Sequence, residues 1–266
     1  MLVFFNGCSH TEGSPVAFYK TWSNIVLQSI KEDANFHHIH GKTGWDDEFL
    51  FRHIIGIENY LKNDCGISVA KAGKGNDAIC FETINYIEYL KQHNKKPDIA
   101  CIQWSGPSRK LIQTVDNKVN FINPHWDEEY LQHLNFEPLG SSLTKTYYVI
   151  LEHYFKSNNI QYVFIDYMGH EVGFNQYLSD SIDYSKVVKN DELTLIELFK
   201  KKKLVIDEWG HPNEDGYHEL ASKVCDVLNI KPIDRKKFDS KTKKDHKKYK
   251  NNSLNKEFWI TVKKIF

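Results

Sequence analysis

A serine, a histidine and two neighbouring acids in this sequence have the residue types of a hydrolytic site. Ser9 lies in Gly7-Cys8-Ser9-His10-Thr11, and His211 follows Asp207 and Glu208 near the other end of the chain. A serine hydroxyl is a weak nucleophile and needs a general base within hydrogen-bond reach. Histidine can act as that base because its pKa lies near neutrality, and a carboxylate can orient the imidazole and stabilise its cation. These residues therefore predict acyl transfer through Ser9.

A glycine-rich turn, Gly73-Lys74-Gly75-Asn76-Asp77, could supply the other half of such a site. Glycine lets backbone N–H groups approach a developing oxyanion, where one well-placed donor contributes about 3–4 kcal/mol. With Ala78, the turn also fits the Gly-x-Gly-x-x-Ala pattern of dinucleotide-binding proteins. However, the acid about twenty residues later, Asp98, begins the next predicted strand instead of ending it. We therefore expect no nucleotide cofactor.

These residues need a framework that brings them together, and the rest of the chain indicates one. Short β-rich runs alternate with helical patterns, which predicts a parallel sheet covered on both faces. The predicted strands are 2–5, 67–70, 98–104, 161–167 and 203–206, and the predicted helices are 22–30, 46–61, 78–91, 141–156, 191–201 and 212–228. Ligands of open α/β sheets bind at the carboxyl ends of the strands. Each candidate residue follows a predicted strand, so all of them should meet at one edge.

Three of these blocks, in this order, resemble the SGNH (GDSL-like) hydrolase family. Gly7-Cys8-Ser9 is similar to the first block of the family, Gly73 to the glycine of its second block, and His211-Pro212 to its last block. The Gly-Cys-Ser-His-Thr-Glu-Gly variant is similar to small stand-alone members encoded by bacteriophages. The resemblance covers about residues 1–230. It implies a flavodoxin-like three-layer α/β/α sandwich with five parallel strands in the order 2-1-3-4-5.

The resemblance also implies roles for individual residues. Ser9 would be the nucleophile and His211 the base, while the backbone N–H groups of Ser9 and Gly73 would bind the oxyanion. The family spacing Asp-x-x-His selects Glu208 as the orienting acid, whereas residue type selects Asp207. We favour Glu208 narrowly and keep Asp207 as the alternative.

The third block of the family departs from its pattern in this chain. The family has Gly-x-Asn-Asp, whose asparagine donates to the oxyanion. The aligned stretch here is Gln103-Trp104-Ser105-Gly106, so Ser105 stands in place of that asparagine. Either Ser105 or Asn76 of the neighbouring turn is then the third donor.

Further residues near the strand ends are candidates for substrate contact, namely His10, Trp104 and Arg109. Successive strand residues face opposite sides, so Cys8 is expected to pack inward instead of acting as a nucleophile. The cluster His37, His38 and His40 lacks a carboxylate at helical spacing and is interpreted as surface, so we expect no metal.

Two connections, 105–140 and 168–190, exceed ordinary loop lengths and are candidate lids or substrate loops. The first leaves the third predicted strand at its carboxyl end, so we predict that it covers the mouth of the site. It carries four large aromatic residues, Phe121, Trp126, Tyr130 and Phe136.

The function that these observations favour is serine-dependent hydrolysis of a small-molecule or glycan acyl ester, with an O-acetyl carbohydrate as one candidate. No metal or organic cofactor is needed for that reaction. Two alternatives stay open. The same site could pass the acyl group to an acceptor other than water, which would make the protein an acyltransferase. The chain could instead be a non-catalytic binding or virion-associated protein with the same fold.

Composition excludes several other classes of protein. The chain has 266 residues, of which 14% are aromatic, and this content is too apolar for intrinsic disorder. Its five cysteines are scattered without a Cys-x-x-Cys pair, which argues against a disulfide framework or a structural zinc site. No apolar run reaches the roughly 18 residues of a membrane span. Since the first residues read as a strand and not as a secretion signal, the expected location is cytoplasmic, in a host cell if the chain is phage-encoded.

The last part of the chain differs in charge from the rest. Residues 231–266 hold 13 Lys and Arg against 4 Asp and Glu, whereas the formal net charge of the whole chain is zero. We divide the chain into a hydrolase-like domain, 1–230, and a basic tail, 231–266. Residues 231–250 are expected to add nothing to the core, and the apolar residues of 256–266 are expected to dock on the body or on a second subunit. We therefore expect the tail to dock, which includes the possibility of a homo-oligomer, and we do not expect it to bind nucleic acid.

Overall fold

A six-stranded parallel sheet forms the centre of this protein. The computed structural model describes residues 1–13, 16–38, 64–107, 109–113, 119–122, 136–169 and 180–250. The strands of the sheet are β1 (Leu2–Asn6), β2 (Asn35–His38), β3 (Cys65–Ser68), β4 (Ile99–Gln103), β7 (Gln161–Ile165) and β8 (Val187–Val188), and a separate antiparallel hairpin is made of β5 (Lys110–Gln113) and β6 (Val119–Ile122). The order across the sheet is β2-β3-β1-β4-β7-β8, and every neighbouring pair is parallel.

Helices cover both faces of this sheet and complete a three-layer α/β fold. They are α1 (Ser9–Glu12), α2 (Trp22–Ile30), α3 (Asn76–Gln92), α4 (Phe136–Ser157), α5 (Leu195–Lys201), α6 (Glu214–Leu228) and α7 (Arg235–Lys250). One apolar cluster joins the sheet to α3 and α4. A second cluster joins the opposite face to α2, α5, α6 and α7.

The alternation of side chains along the strands explains the two cores. In β1, Leu2 and Phe4 belong to the first cluster, whereas Val3 and Phe5 belong to the second. All four side chains are at most 6% exposed. Side chains of a strand point alternately to its two faces, so a strand covered on both sides must be apolar throughout. This is why the central strands could be recognised from their continuous apolar runs.

The predicted parallel sheet is confirmed, but its strand count and both edges differ from the prediction. Four predicted strands lie next to one another in the predicted order. An additional strand, β2, pairs with β3 in a stretch where no strand was predicted. The prediction of a strand over 203–206 was wrong, because only Val205 of that stretch bridges, and it does so to Pro212 in an antiparallel sense. The edge strand is instead β8, which pairs with β7. Two valines are too short a run to be recognised by alternation.

The segment 105–140 also has more structure than expected, since it contains the β5–β6 hairpin and the first residues of α4. Several predictions fall on residues outside the described ranges: the helix over 46–61, His40, the aromatic residues Trp126 and Tyr130, and residues 170–179 of the connection 168–190. Of Phe121 and Phe136 only the backbone is described.

The basic tail does contribute to the core, contrary to the prediction for 231–250. Phe238 of α7 is 1% exposed and joins the second apolar cluster. Lys241 donates to Gln28 at 2.5 Å and to Asp33 at 2.9 Å, so α7 is also tied to the body by polar contacts. One phenylalanine among lysines is enough to dock a helix when its side chain is fully enclosed. The docking of 256–266 lies outside the described residues and stays a prediction, and no helix among the described residues is long and apolar enough to cross a membrane.

Candidate active site

Ser9, His211 and Asp207 form a continuous chain of hydrogen bonds. Ser9 Oγ lies 2.9 Å from His211 Nε2, and His211 Nδ1 lies 2.7 Å from Asp207 Oδ2. The backbone N–H of His211 also donates to Asp207 Oδ1, at 3.0 Å. When Nδ1 carries its proton toward the carboxylate, Nε2 is left to accept the proton of the serine hydroxyl. The order of the three groups is the one that acyl transfer requires of nucleophile, base and orienting acid.

Ser9, at one end of this chain of hydrogen bonds, is held at the end of the central strand. Ser9 is the first residue of the single turn α1, which follows β1 after Gly7 and Cys8. The N–H groups of Thr11 and Glu12 both donate to the Cys8 carbonyl, at 3.0 Å, and this closes the turn. The N–H groups of a first helical turn have no acceptor within the helix, so the N–H of Ser9 is available to a bound oxygen.

Asp207 and His211 come from one tight turn late in the sequence. The Gly210 N–H donates to the Asp207 carbonyl at 3.2 Å, and Tyr167 Oη donates to the Gly210 carbonyl at 2.8 Å. Gly210 has a φ of +80°, and a Cβ at this position would lie 2.4 Å from the Ile196 side chain. Only glycine fits both conditions. The turn therefore folds Asp207 back onto His211, the fourth residue after it.

The preference for Glu208 as the residue that orients His211 was wrong. The carboxylate that reaches His211 belongs to Asp207, whereas Glu208 is exposed. The family spacing selects the residue three positions before the histidine. Here the left-handed conformation of Gly210 brings the residue four positions before it, Asp207, against the imidazole. Residue type was the better guide at this position.

The charge state of His211 suits a general base. Burial lowers the pKa of His211 below its ordinary value, and the nearby His10 acts in the same direction. The Asp207 carboxylate opposes this shift in part, through its charge and its hydrogen bond. The imidazole is consequently neutral at neutral pH and can accept a proton.

The predicted oxyanion donors divide into two groups. Gly73 has a φ of +81°, and a Cβ there would meet nothing within 4 Å, so the space beside its Cα is open. Asn76 is engaged elsewhere: Nδ2 donates to the Ser105 carbonyl at 3.0 Å and to Thr144 Oγ1 at 2.9 Å, and Oδ1 accepts from the Ser105 N–H at 2.6 Å. A side-chain amide has two N–H groups. Because both are used within the fold, the prediction of Asn76 as an oxyanion donor is corrected to a clamp on the end of β4.

Ser105 and Arg109 lie together beside this clamp. Ser105 is fully buried, and its Oγ accepts a hydrogen bond from Arg109 Nη1 at 3.0 Å. The guanidinium is close enough to the site to disfavour a positive charge on His10. Arg109 thus places a positive charge next to Ser105, after the end of β4.

Two residues predicted to contact substrate are enclosed by protein. Trp104 is fully buried in the first apolar cluster, with its ring 4.9 Å from Tyr148 and 5.7 Å from Phe164. The prediction that Trp104 contacts substrate was wrong, because the cluster encloses its side chain completely. His10 is 2% exposed and lies against the ring of His211. Cys8 is 1% exposed, as its place next to the strand predicted.

Lys74 is a buried residue of the site that the sequence did not single out. It is 1% exposed, it forms an ion pair with Glu82, and its ammonium donates to Asn6 Oδ1 at 2.9 Å and to the Val69 carbonyl at 2.7 Å. Nothing in the sequence separates this lysine from the exposed ones. Only its position directly after Gly73 could have suggested a role in holding the turn. Within the described ranges, no group of three or more His, Cys, Asp or Glu side chains is arranged to hold a metal ion.

Comparison with known proteins finds similarity at the level of structure. No protein-family model matches the sequence, and no curated protein matches it. The structure is similar to that of the lipase Lip_vut3 from a goat rumen metagenome, with 13% identity, coverage of 85% of this chain and 97% of the lipase, and a TM-score of 0.50.

Two further solved structures match less closely in shape. An acetyl xylan esterase, AlAXEase, has 12% identity, coverage of 86% of this chain and 100% of its own, and a TM-score of 0.45. A lipase/acylhydrolase from Enterococcus faecalis has 10% identity, coverage of 88% and 98%, and a TM-score of 0.45. At these identities a structural match shows the fold alone. The chain therefore has a three-layer α/β fold with a parallel sheet, similar to that of the lipase Lip_vut3.

Proposed function

We propose that this protein is a serine-dependent ester hydrolase. The observation that supports this most directly is the hydrogen-bonded chain from Ser9 through His211 to Asp207, at 2.9 and 2.7 Å. Ser9 meets Asp207 and His211, about 200 positions later in the chain, at the carboxyl edge of a parallel sheet, where the ligands of such sheets bind. A serine held this way toward a neutral imidazole is ready to lose its proton.

In the proposed reaction, Ser9 Oγ attacks the carbonyl carbon of the ester while its proton passes to His211 Nε2. Asp207 stabilises the imidazolium that results. The backbone N–H groups of Ser9 and Gly73 donate to the tetrahedral oxyanion. The intermediate collapses and releases the alcohol, which takes the proton from Nε2. Water then attacks the acyl-serine, again with His211 as base, and the carboxylic acid leaves.

We propose a small-molecule or glycan acyl ester as the substrate class. The turn that carries Asp207 and His211 also carries Ile206 and Trp209, which are 49% and 52% exposed. Contiguous exposed apolar patches mark binding sites, and we propose that these two side chains belong to one beside His211. A tryptophan ring provides an apolar face of the kind that a sugar or an acyl chain can cover. An O-acetyl carbohydrate is the candidate we would test first.

Labelling with a fluorophosphonate tests the nucleophile directly, because only an activated serine should react. We expect one adduct on Ser9 by mass spectrometry, hydrolysis of p-nitrophenyl acetate, and loss of both in Ser9→Ala. Ser185→Ala, at a serine outside the site, is the matched control and should behave as the natural protein does. Unchanged turnover in Ser9→Ala would contradict the proposal and direct attention to Cys8.

The same assays separate the alternative functions. Acetylated xylan tests the glycan substrate, and added alcohols that divert the acyl group from water would indicate an acyltransferase. A protein that neither labels nor hydrolyses these esters would fit the non-catalytic alternative. A bacteriophage origin, a cytoplasmic location and a homo-oligomer formed through the tail stay predictions.

A further inference from the structure

His10 lies in the site without belonging to the chain of proton transfer. Its ring stacks on that of His211, with the centroids 4.7 Å apart and the planes inclined by 21°. Ser9, directly before it, is the proposed nucleophile. One turn of chain thus carries both the serine and a ring that covers a face of the base.

The ring of His10 is itself held in place. Tyr167 packs against it with centroids 4.8 Å apart, and the Tyr167 hydroxyl donates to the Gly210 carbonyl, one residue before His211. His10 Nδ1 lies 3.2 Å from Cys8 Sγ, so the ring is also fixed in rotation. His10 is 2% exposed, and substrate would have to displace protein to reach it.

This histidine is electrically neutral under ordinary conditions. Burial lowers the pKa of His10 to about 3, and the Arg109 guanidinium contributes in the same direction. A neutral ring can lie against the His211 imidazolium that forms during the reaction, whereas a charged one would repel it. The environment of His10 therefore keeps it compatible with catalysis.

We propose that His10 is a positioning residue, a stacked ring that holds the His211 imidazole in the plane joining Ser9 and Asp207. This inference rests on the proposed function. The hydrogen bonds at Nδ1 and Nε2 lie in the plane of the His211 ring, so they resist tilting of the ring out of that plane less strongly than movement within it. Contact across the face of the ring restrains that tilt. Misplacement of a catalytic group by about 1 Å can cost on the order of 100-fold in rate.

The test compares variants that keep or remove a flat ring at position 10. His10→Phe keeps the ring and its neutrality, and we expect kcat within about threefold of the natural protein. His10→Leu keeps an apolar side chain without the ring, and we expect kcat to fall by about 10- to 100-fold with KM little changed, since geometry is altered more than binding. His10→Met, whose flexible side chain fills irregular gaps, is the second ring-free variant should His10→Leu fail to fold.

A spectroscopic readout makes the test independent of turnover. The proton on His211 Nδ1, held by Asp207, should give a far-downfield proton NMR resonance in the natural protein and in His10→Phe. We expect it to broaden or disappear in His10→Leu and His10→Met. His218, a half-buried histidine packed edge-on to Phe238 with centroids 5.4 Å apart, provides the control, because His218→Leu should change neither kcat nor the resonance.

Two results would overturn the proposal. Natural kcat and an unchanged resonance in the ring-free variants would mean that the ring only fills space. Equal losses in His10→Phe and His10→Leu with the resonance intact would mean that His10 acts through its nitrogens and not through its face. Failure of the hydrolase proposal is recognised separately, since natural protein that neither labels nor turns over would still give the resonance comparison.

Discussion

The buried pair Lys74–Glu82 offers a quantitative test of how the fold supports the site. A lysine ammonium has three N–H donors, and the three acceptors here are Glu82, Asn6 Oδ1 and the Val69 carbonyl. Asn6 Oδ1 also accepts from the Gly7 N–H at 2.8 Å. The ammonium therefore connects the Gly73 turn to the end of the strand that leads to the nucleophile. We expect Lys74→Met to disturb both stability and activity.

The magnitude follows from burial. Removal of one partner of a buried ion pair leaves an uncompensated charge and costs about 3–5 kcal/mol of unfolding free energy. For a chain of this size, about 2–4 °C of melting temperature is lost for each kcal/mol, so the expected shift is about 6–20 °C. Exposed pairs contribute about 0–1 kcal/mol. Lys20→Met, which breaks the exposed pair of Lys20 with Glu214, is the matched control.

The loss should depend on pH in a defined direction. Burial already raises the pKa of Glu82, and without Lys74 the pKa must rise further. Between the pKa of the carboxyl group in the unfolded chain and the higher value in the folded protein, the unfolded state holds fewer protons. Stability then falls as pH increases, so the deficit of Lys74→Met should grow from about pH 4.5 upward.

Urea unfolding at several pH values, with the ester assay in parallel, measures these effects. Lys74→Met with Glu82→Gln removes both charges, and we expect it to recover at least half of the lost unfolding free energy. Its kcat should stay low, because the amide at 82 does not restore the link to Asn6 and Val69. A deficit of Lys74→Met below about 1 kcal/mol, or a double variant less stable than the single one, would refute the reasoning.

Three further predictions concern the acid, the base and the tail. Asp207→Asn should lower kcat by about four orders of magnitude, as loss of the orienting acid does in serine hydrolases, whereas Glu208→Gln should change kcat by no more than a few-fold. Equal small losses of kcat in the two variants would mean that neither carboxylate orients the base. The base must be neutral, and burial lowers the pKa of His211. The value of kcat/KM should therefore increase with pH, with a midpoint below about pH 6.5. A midpoint above that pH would contradict the buried environment of His211. Phe238→Ala should lower the free energy of unfolding by about 3–5 kcal/mol without changing kcat. The control Phe81→Ala, at a side chain that is 64% exposed, should lower it by less than about 0.5 kcal/mol. A Phe238→Ala variant as stable as the natural protein would mean that α7 is not part of the folded body.

The buried strands and the edge of the sheet that carries Ser9 could be predicted from the sequence, whereas the order of four of the strands was implied only by the family resemblance. Continuous apolar runs are required wherever a strand is covered on both faces, so 2–5, 98–104 and 161–167 were recognisable without any partner. Helix 22–30 was predicted with the same bounds as α2, because its apolar residues recur at helical spacing. Asp207 and His211 follow a stretch that does not join the sheet, whereas the polar residues after the buried strands, Ser9 among them, had to meet at one edge. That requirement is a property of parallel sheets and depends on no particular contact.

Only the tertiary structure decided which groups touch. The choice of Asp207 over Glu208 depends on the left-handed conformation of Gly210, and the engagement of Asn76 depends on the position of Ser105 on a different element. Lys74 and Phe238 have ordinary surface surroundings in the sequence and become buried because distant segments cover them. Burial and hydrogen bonding are set by residues far apart in the chain. Local patterns can therefore predict many of the elements, while the partner of each side chain emerges only when those elements pack.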